Sequence, residues 1–333
     1  MSDQPAVIMV AQAAYHLEEL LPLAAALERH GEPSIIVAPV PTSRVLSRWR
    51  PANKRHQELL AVSPNPSGPV LSQQQLARAR ALVVLNDWGT TASLVKKMKT
   101  QSVPTFAWVE GVQDFADLDT GKQRKAYRSV DHVFCLGQYD YQALAGTSRT
   151  VVGSERLRAL WFENPTSVQS DRLLVNLNFT YGVGEQHRGP WLKSVQKSMQ
   201  AADWKYVISQ HVADKSLVAP WRKSSDSSSV LLAGTPLFVT RFSTLGYEAL
   251  VRGIPMIYHN PHGEQVPTFA DPRGAFAITE SVEELIRALK ADLPTRTKVR
   301  QQAEEFLNHH LHLVNDGSPA EHVADRICAV LVS

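Results

Sequence analysis

The chain has 333 residues, of which 44% are hydrophobic and 20% charged, and its formal net charge is +3. This composition is typical of a globular protein with a large core, and the length favours two domains of ordinary size. The small net charge argues against a nucleic-acid partner. The sequence has no run of about 18 consecutive apolar residues, so no membrane span is predicted. An acidic N-terminus and two widely separated cysteines favour a cytoplasmic protein without a leader or disulfide framework.

The first half of the chain alternates apolar runs with segments of helical spacing. We predict strands over Ala6–Ala11, Ser34–Ala38, Ala81–Leu85, Thr105–Val109, His132–Leu136 and Thr150–Val152. Between and after them we predict helices over Leu17–Arg29, Thr91–Thr100, Tyr139–Ala145 and Glu155–Phe162. This alternation predicts a doubly wound α/β domain with a parallel sheet.

The same pattern restarts after a turn-rich segment near residues 163–171. Strands are predicted over Leu173–Leu177, Tyr206–Ser209, Leu237–Thr240, Pro255–Tyr258 and Phe276–Ile278. Helices are predicted over Trp191–Ala202, Leu245–Arg252, Val282–Lys290, Thr295–His312 and Pro319–Leu331. We therefore divide the chain into an N-terminal domain (1–165), a second domain (166–315) and a C-terminal helix (316–333).

The most informative stretch is residues 236–264, PLFVTRFSTLGYEALVRGIPMIYHNPHGE. It predicts a strand, a turn, a helix and a second strand, which together form a parallel βαβ unit. The start of that helix offers backbone N–H groups and a positive dipole to a phosphate. Ser243 and Thr244 add hydroxyl groups, Arg241 adds a guanidinium, and Glu248 adds a carboxylate for ribose hydroxyls. The alternative is a plain βαβ unit in which the hydroxyls cap the helix and Arg241 forms a salt bridge.

The residues STLGYEALVRGIPMI and the following loop HNPHGE resemble the donor-nucleotide motif of GT-B glycosyltransferases. This resemblance implies two Rossmann-like doubly wound α/β domains facing a cleft, with a C-terminal helix crossing back to the first domain. It also implies a nucleotide-sugar donor, a glycan or lipid-linked acceptor, and no required metal. The wider pattern is similar to bacterial surface-polysaccharide enzymes of the capsule, LPS and sialyltransferase-like kind.

Two residues of the first half are candidates for the base that deprotonates an acceptor hydroxyl. Glu110 follows a predicted strand, and VEGVQDF resembles the acid-plus-Gly motif of sialyl- and polysialyltransferases, whose acid is the base. His16 follows the first strand, and YHLEELLPLAAAL resembles the segment where many GT-B enzymes carry a catalytic or acceptor-contacting His. A strand-end cap and a structural histidine are the respective alternatives. Asp87 and Asp114 are weaker candidates.

Polar residues that follow strands of the second half are predicted to line the donor site. His211 resembles the His of the His-Pro motif that contacts donor phosphate in the sialyltransferase-like families, although Val212 stands where the motif has Pro. The other candidates at strand ends are Asn178, Thr180, His259 and Asn260.

Two further patterns bear on cofactors and partners. The DLD tripeptide at residues 117–119 fits the Asp-x-Asp pattern of metal-binding GT-A transferases, but no strand directly precedes it, so we expect no metal cofactor. The basic segment 44–55, together with lysines at 96, 97 and 99, predicts either a solvated face or contact with an anionic partner. That partner is anionic lipid at the inner face of the membrane or an anionic glycan acceptor. A non-hydrolysing nucleotide-sugar epimerase and a non-catalytic nucleotide- or glycan-binding module remain alternatives.

Overall fold

The computed structural model describes residues 4–12, 14–37, 66–67, 73–112, 115, 126–164, 167–179, 184–210 and 228–332. The chain divides into two compact units. The first takes its residues from 1–111, 124–159 and 308–333, and the second from 112–123 and 160–307. The domain boundaries placed at 165 and 315 from the sequence stay predictions beside this division.

The first unit is built on a seven-stranded parallel sheet in the order β3-β2-β1-β4-β5-β6-β7. Through residue 164 the strands are β1 Ala6–Val10, β2 Ser34–Val37, β3 Pro66–Ser67, β4 Ala79–Val84, β5 Thr105–Trp108, β6 His132–Cys135 and β7 Arg149–Val151. The helices are α1 Leu17–Arg29, α2 Gln73–Ala77, α3 Thr90–Thr100, α4 Gln138–Ala143 and α5 Glu155–Phe162, and a 3-10 turn spans Ala14–His16.

The second unit is built on a five-stranded parallel sheet in the order β12-β11-β10-β8-β9. From residue 167 the strands are β8 Leu173–Leu177, β9 Tyr206–Gln210, β10 Phe238–Thr240, β11 Met256–His259 and β12 Ala277–Thr279. The helices that follow residue 167 are α6 Arg188–Ala201, α7 Ser228–Gly234, α8 Thr244–Val251, α9 Pro267–Ala270, α10 Val282–Lys290, α11 Arg296–Leu311 and α12 Pro319–Leu331, of which α12 belongs to the first unit, and a 3-10 turn spans Glu185–His187.

Each sheet has a point where the strand order reverses. In the first sheet β1 pairs with β2 on one side and β4 on the other, and in the second β8 lies between β9 and β10. The loops that leave neighbouring strands on the two sides of such a point diverge, and they leave a crevice at the carboxyl ends of the strands. The strand order therefore marks one candidate binding edge in each unit.

The last helix of the chain, α12, belongs to the first unit and packs against α1. Its face Val323, Ala324 and Ile327 is buried, and ion pairs join Arg29 to Glu321 and His30 to Asp325. Ser318 caps the helix by accepting a hydrogen bond from the Glu321 amide, and a proline at its first position suits that start. The predicted return of the C-terminal helix to the first domain is thereby confirmed.

The predicted strands and helices are present within a few residues of their predicted ends. The short elements β3, α2, α7 and α9 were not predicted, because they are too short to show a periodic pattern. Among the described residues, no helix is both long enough and apolar enough to cross a membrane.

Candidate functional site

The binding edge of the first sheet brings three loops together. His16 follows β1, Asn86 follows β4 and Glu110 follows β5, and these three strands are neighbours in the sheet. The two residues considered from the sequence as rival bases are therefore close in space.

His16 and Glu110 form one hydrogen-bonded pair. The Nε2 atom of His16 lies 2.5 Å from Oε2 of Glu110. The Nδ1 atom of His16 accepts a hydrogen bond from the Gln12 amide at 3.0 Å. Since Nδ1 is an acceptor, the ring proton of the neutral imidazole is on Nε2 and is donated to the carboxylate.

Neutral groups complete the surroundings of the Glu110 carboxylate. The Tyr15 hydroxyl donates to Oε2 at 3.1 Å, and the Asn86 amide group donates to Oε1 at 3.4 Å. The Glu110 amide donates to the Tyr127 hydroxyl at 3.3 Å. Burial, with the Glu110 charge second, raises the pKa of Tyr127 well above its ordinary value, so this hydroxyl stays protonated.

The two members of the pair differ in exposure. The His16 side chain is 1% exposed and the Glu110 side chain is 13% exposed. Both ring nitrogens of His16 are already bonded to the protein. The carboxylate is therefore the part of the pair that can meet a bound molecule, and the imidazole orients it.

The binding edge of the second sheet carries the βαβ unit of the sequence analysis. Ser243 caps α8, and its hydroxyl accepts a hydrogen bond from the Leu245 amide at 3.2 Å. The Thr244 hydroxyl oxygen accepts from the Val112 amide at 3.0 Å. The capping alternative weighed for Ser243 is thus present, and phosphate binding at this helix start stays a prediction.

Glu248 lies in a buried ion pair. Its Oε1 atom is 3.0 Å from Nε of Arg252, and it also accepts a hydrogen bond from the Ser229 hydroxyl. The residue is 2% exposed. A contact between Glu248 and ribose stays a prediction. The observed partners give the Glu248 carboxylate a structural role as well.

Arg241 also lies in a buried ion pair. Its Nε donates to Oε1 of Glu264 at 2.6 Å, and another guanidinium nitrogen donates to the Asn178 carbonyl at 2.9 Å. The guanidinium stacks over the rings of Phe179 and Phe242. The salt-bridge alternative weighed for Arg241 is therefore the observed arrangement, and a direct phosphate contact stays a prediction.

The remaining described candidates hold loops and strands in place. The Asn178 amide group donates to the Phe242 carbonyl at 3.1 Å, which joins the ends of β8 and β10. Asn260 closes its own loop, because its side chain bonds both the amide and the carbonyl of Glu264. His259 is fully buried, and its ring nitrogens bond Thr279 at 2.9 Å and Ser194 at 2.8 Å. Donor contacts by these side chains stay predictions.

Asp87 is engaged within the first unit, where its carboxylate accepts from the amides of Tyr127 and Ser129 and from the Ser129 hydroxyl. Several other predicted residues lie outside the described part of the chain: Asp114, the DLD tripeptide at 117–119, Thr180, His211 and the basic segment 44–55. Among the described residues, no group of three or more His, Cys, Asp or Glu side chains is placed to hold a metal ion.

Comparison with known proteins identifies the architecture. No protein-family model matches the sequence, and no curated protein sequence matches it either. Solved structures match nearly the whole chain. MnaA of S. aureus, in a co-structure with UDP, has a TM-score of 0.66 at 15% identity, covering 99% of this chain and 97% of its own.

Two further solved structures resemble this chain to a similar degree. The UDP-GlcNAc 2-epimerase of Methanocaldococcus jannaschii, in complex with UDP-GlcNAc and UDP, has a TM-score of 0.62 at 14% identity, covering 97% of this chain and 99% of its own. A variant of the wall teichoic acid polymerase TagF has a TM-score of 0.62 at 11% identity, covering 100% of this chain and 90% of its own. The chain has the GT-B fold. The GT-B fold supports several reactions, so the reaction has to be argued from the site.

Sequence reasoning missed four residues around Glu110. Three of them bond the Glu110 carboxylate or amide directly: Tyr15, Asn86 and Tyr127. The fourth, Trp88, contacts the ring of Tyr127. The signal for two of them was the polar and aromatic run Asn86-Asp87-Trp88 at the end of a buried strand. Tyr127 carried no local signal, because its role depends on a strand order that only the fold reveals.

Proposed function

We propose that this GT-B protein is a glycosyltransferase that moves a sugar from a nucleotide-activated donor to a glycan or lipid-linked acceptor. The reaction proceeds without a catalytic metal and serves the assembly of a bacterial surface polysaccharide, of the capsule, LPS or sialyltransferase-like kind. The protein acts in the cytoplasm, in peripheral contact with the membrane. One observation carries the proposal: a partly exposed Glu110 carboxylate held by the buried His16 at a sheet switch point.

The geometry around Glu110 fits a general base. Its Oε2 receives two hydrogen bonds, from Tyr15 and His16, whereas the contact from Asn86 to Oε1 is a long 3.4 Å. Oε1 therefore has capacity to accept the proton of an acceptor hydroxyl. In an inverting transfer, the acceptor oxygen then bonds to the anomeric carbon. The bond from that carbon to the nucleotide's phosphate oxygen breaks, and the phosphate keeps the electron pair.

The second unit supplies features suited to the donor. The start of α8, with the hydroxyls of Ser243 and Thr244, is suited to stabilise the departing phosphate charge. The structures of MnaA and of the epimerase hold UDP or UDP-GlcNAc, which supports a nucleotide sugar as the ligand of this fold.

A UDP-GlcNAc 2-epimerase type of reaction is the second candidate. The observation that favours it is the likeness of the whole chain to such an epimerase and to MnaA. An epimerase needs several acid and base groups around one sugar. Within the described residues, the hydrogen-bonded neighbours of Glu110 include no second carboxylate.

A thermal-shift screen of the full chain against CMP, CDP, UDP, UMP, GDP and ADP, with and without EDTA, tests the donor site. A nucleotide that binds the folded state raises the unfolding midpoint by mass action. We expect a rise with one nucleotide class, unchanged by EDTA and reduced in Ser243→Ala and Glu248→Gln. No rise with any nucleotide at millimolar concentration contradicts a nucleotide-dependent function.

Ser281→Ala is a matched control for Ser243→Ala. Both serines cap helices of the second unit by accepting a backbone amide at 3.2 Å. Each substitution costs about 1 kcal/mol of stability, so only loss of the nucleotide-induced shift is specific to Ser243. The corresponding nucleotide sugar is then followed by NMR without any acceptor. Conversion to its 2-epimer supports epimerisation and contradicts transfer, whereas dependence of nucleotide release on an added acceptor supports transfer.

A further inference from the structure

Two exposed aromatic side chains lie on the loops that also carry His16 and Asn86, two residues bonded to the Glu110 carboxylate. Trp88 is 41% exposed and Tyr15 is 44% exposed, and both are among the few large hydrophobic side chains of the described residues that face solvent. Tyr15 bonds Glu110 directly through its hydroxyl, and its ring packs edge-on against His16 with centroids 4.7 Å apart.

Tyr127 connects Trp88 to the same carboxylate-bearing residue. The rings of Trp88 and Tyr127 meet edge-to-face at 5.5 Å, and the Tyr127 hydroxyl accepts from the Glu110 amide. Tyr127 is fully buried, and its hydroxyl donates to the Leu85 carbonyl at 3.0 Å. One buried side chain therefore holds both the tryptophan ring and the backbone of Glu110.

The loop that carries Trp88 is braced on both sides. The Thr91 hydroxyl lies 2.6 Å from the Trp88 carbonyl and 3.0 Å from the side-chain oxygen of Asn86. Asp87, the residue before Trp88, accepts the Tyr127 amide at 2.7 Å. Tyr127 has a φ of +59°, a conformation that non-glycine residues rarely adopt, so the surroundings impose it. The exposed ring is thus carried by a loop that is hydrogen-bonded on both sides.

The charges at this edge disfavour an anionic ligand group. Within the described part of the chain, the side chains bonded to the Glu110 carboxylate are Tyr15, His16 and Asn86, and none is Lys or Arg. A phosphate beside Glu110 would meet a like charge with no cation among those partners. A neutral hydroxylated ligand meets no such cost.

We propose that Trp88 and Tyr15 form a stacking platform for a pyranose ring, so that the acceptor presents a neutral sugar, and not an acyclic polyol phosphate, to Glu110. The faces of aromatic rings are negative, and they attract the polarised C–H groups on the flat face of a pyranose. An acyclic polyol has no such face. This inference rests on the proposed glycosyltransferase function and names the acceptor class at the same site.

Fluorine NMR of the full chain labelled with 5-fluorotryptophan tests the platform directly. The resonance missing from Trp88→Phe identifies Trp88. The probes are the methyl glycosides of glucose, galactose, mannose and N-acetylglucosamine, with glycerol 3-phosphate as the acyclic anionic counterpart. We expect at least one pyranoside to move the Trp88 resonance at millimolar concentration while glycerol 3-phosphate leaves it in place. No movement with any pyranoside, or equal movement with glycerol 3-phosphate, overturns the proposal.

Affinity measurements on variants separate stacking from mere apolar contact. Trp88→Leu keeps an apolar side chain without an aromatic face, and we expect it to weaken pyranoside binding by about tenfold. Trp88→Phe keeps an aromatic face and should retain most of the affinity. Phe162→Ala removes another exposed aromatic ring, 52% exposed and distant in sequence, and should change nothing. Equal affinity in Trp88→Leu and the parent overturns the proposal.

The same variants distinguish failure of this inference from failure of the proposed function. Trp88→Leu should keep the parent's nucleotide-induced thermal shift, which also reports that the variant is folded. If the parent binds no nucleotide, the glycosyltransferase proposal fails whatever the pyranosides do. If the parent binds a nucleotide but no pyranoside reaches Trp88, only the acceptor assignment fails.

Discussion

At the scale of single residues, the main feature is the division of labour between Glu110 and His16. The imidazole is buried and bonded at both nitrogens, so it has no free atom for a substrate. The carboxylate is held on one oxygen by two donors and is partly exposed. In the proposed transfer reaction, this geometry suits Glu110 to the base role and His16 to a positioning role.

Substitution at the two positions should give different kinetic results. Glu110→Gln keeps the shape and removes the base, so kcat should fall about 100- to 10,000-fold. His16→Gln loosens the carboxylate without removing it, so kcat should fall by about tenfold with KM for the donor unchanged. The two kcat values are the deciding measurement, since the loss in Glu110→Gln should exceed the loss in His16→Gln. The reverse pattern would make His16 the base.

At the scale of elements, the end of α8 depends on a glycine for two reasons. Gly253 has a φ of +72°, and a Cβ there would lie 2.4 Å from the Arg296 carbonyl oxygen. Gly263 has a similar φ of +66° with nothing within 4 Å of its Cβ position. A side chain at either position has the energetic cost of a left-handed backbone conformation. At Gly253 alone, the side chain would also clash with the first residue of α11.

Alanine at these two glycines separates the costs. Gly263→Ala should lower the free energy of unfolding by about 1 kcal/mol, the cost of a left-handed alanine. Gly253→Ala should lower the free energy of unfolding by about a further 1–3 kcal/mol, because the backbone must move to make room for the added methyl group. Denaturant unfolding measures both values. Equal losses would show that the contact with Arg296 relaxes at no cost.

His259 ties β11 to its neighbours and should make stability depend on pH. Burial lowers the pKa of His259 from 6.5 to about 4, so the unfolded chain binds the proton more readily than the folded chain. The stability from the neutral ring is present above pH 6.5 and is lost as pH falls towards 4.

The pH effect is measured by denaturant unfolding of the parent and of His259→Asn across that range. The parent should lose more stability on acidification than the variant, by at most about 3 kcal/mol. His132, whose pKa burial also lowers to about 4, remains in both proteins and cancels in the comparison. Identical pH dependence of the two proteins would contradict the assignment to His259.

At the scale of the whole molecule, the two ends of the chain complete one unit. The first unit takes residues 308–333 from the C-terminal end, and α12 packs against α1 near the N-terminal end. Ile327 on this helix is fully buried, whereas Val332 near the end of the chain is 82% exposed. The stability of the first unit thus depends on the last helix.

Truncation of one side chain in α12 tests this dependence. Ile327→Ala should lower the free energy of unfolding by about 2–5 kcal/mol, because it opens a cavity where a fully buried side chain packs. Val332→Ala is the control and should change it by about 0.5 kcal/mol or less. Thermal or denaturant unfolding provides the measurement. A small effect at Ile327 would mean that the stability of the first unit does not depend on the packing of α12.

Most of the fold was predictable from local pattern. Apolar runs of strand length, helical spacing and glycine stops are properties of neighbouring residues, so they predicted most of the strands and helices. The βαβ unit around Ser243 was equally local. The predictions that Arg241 and Glu248 contact a ligand could not take account of the residues that pair with them in the fold. Arg241 pairs with Glu264, which lies 23 residues away, and Glu248 pairs with Ser229, which lies 19 residues away.

The sequence by itself determined the alternation of strands and helices and the polar residues that follow the strands. Only the tertiary structure decided that His16 and Glu110, 94 residues apart, are one hydrogen-bonded pair, and that Tyr127 contacts both the Trp88 ring and the Glu110 amide. The physical reason is the strand order. Residues at the carboxyl ends of β1, β4 and β5 meet because these strands pair side by side, and pairing between distant segments leaves no mark in either segment alone.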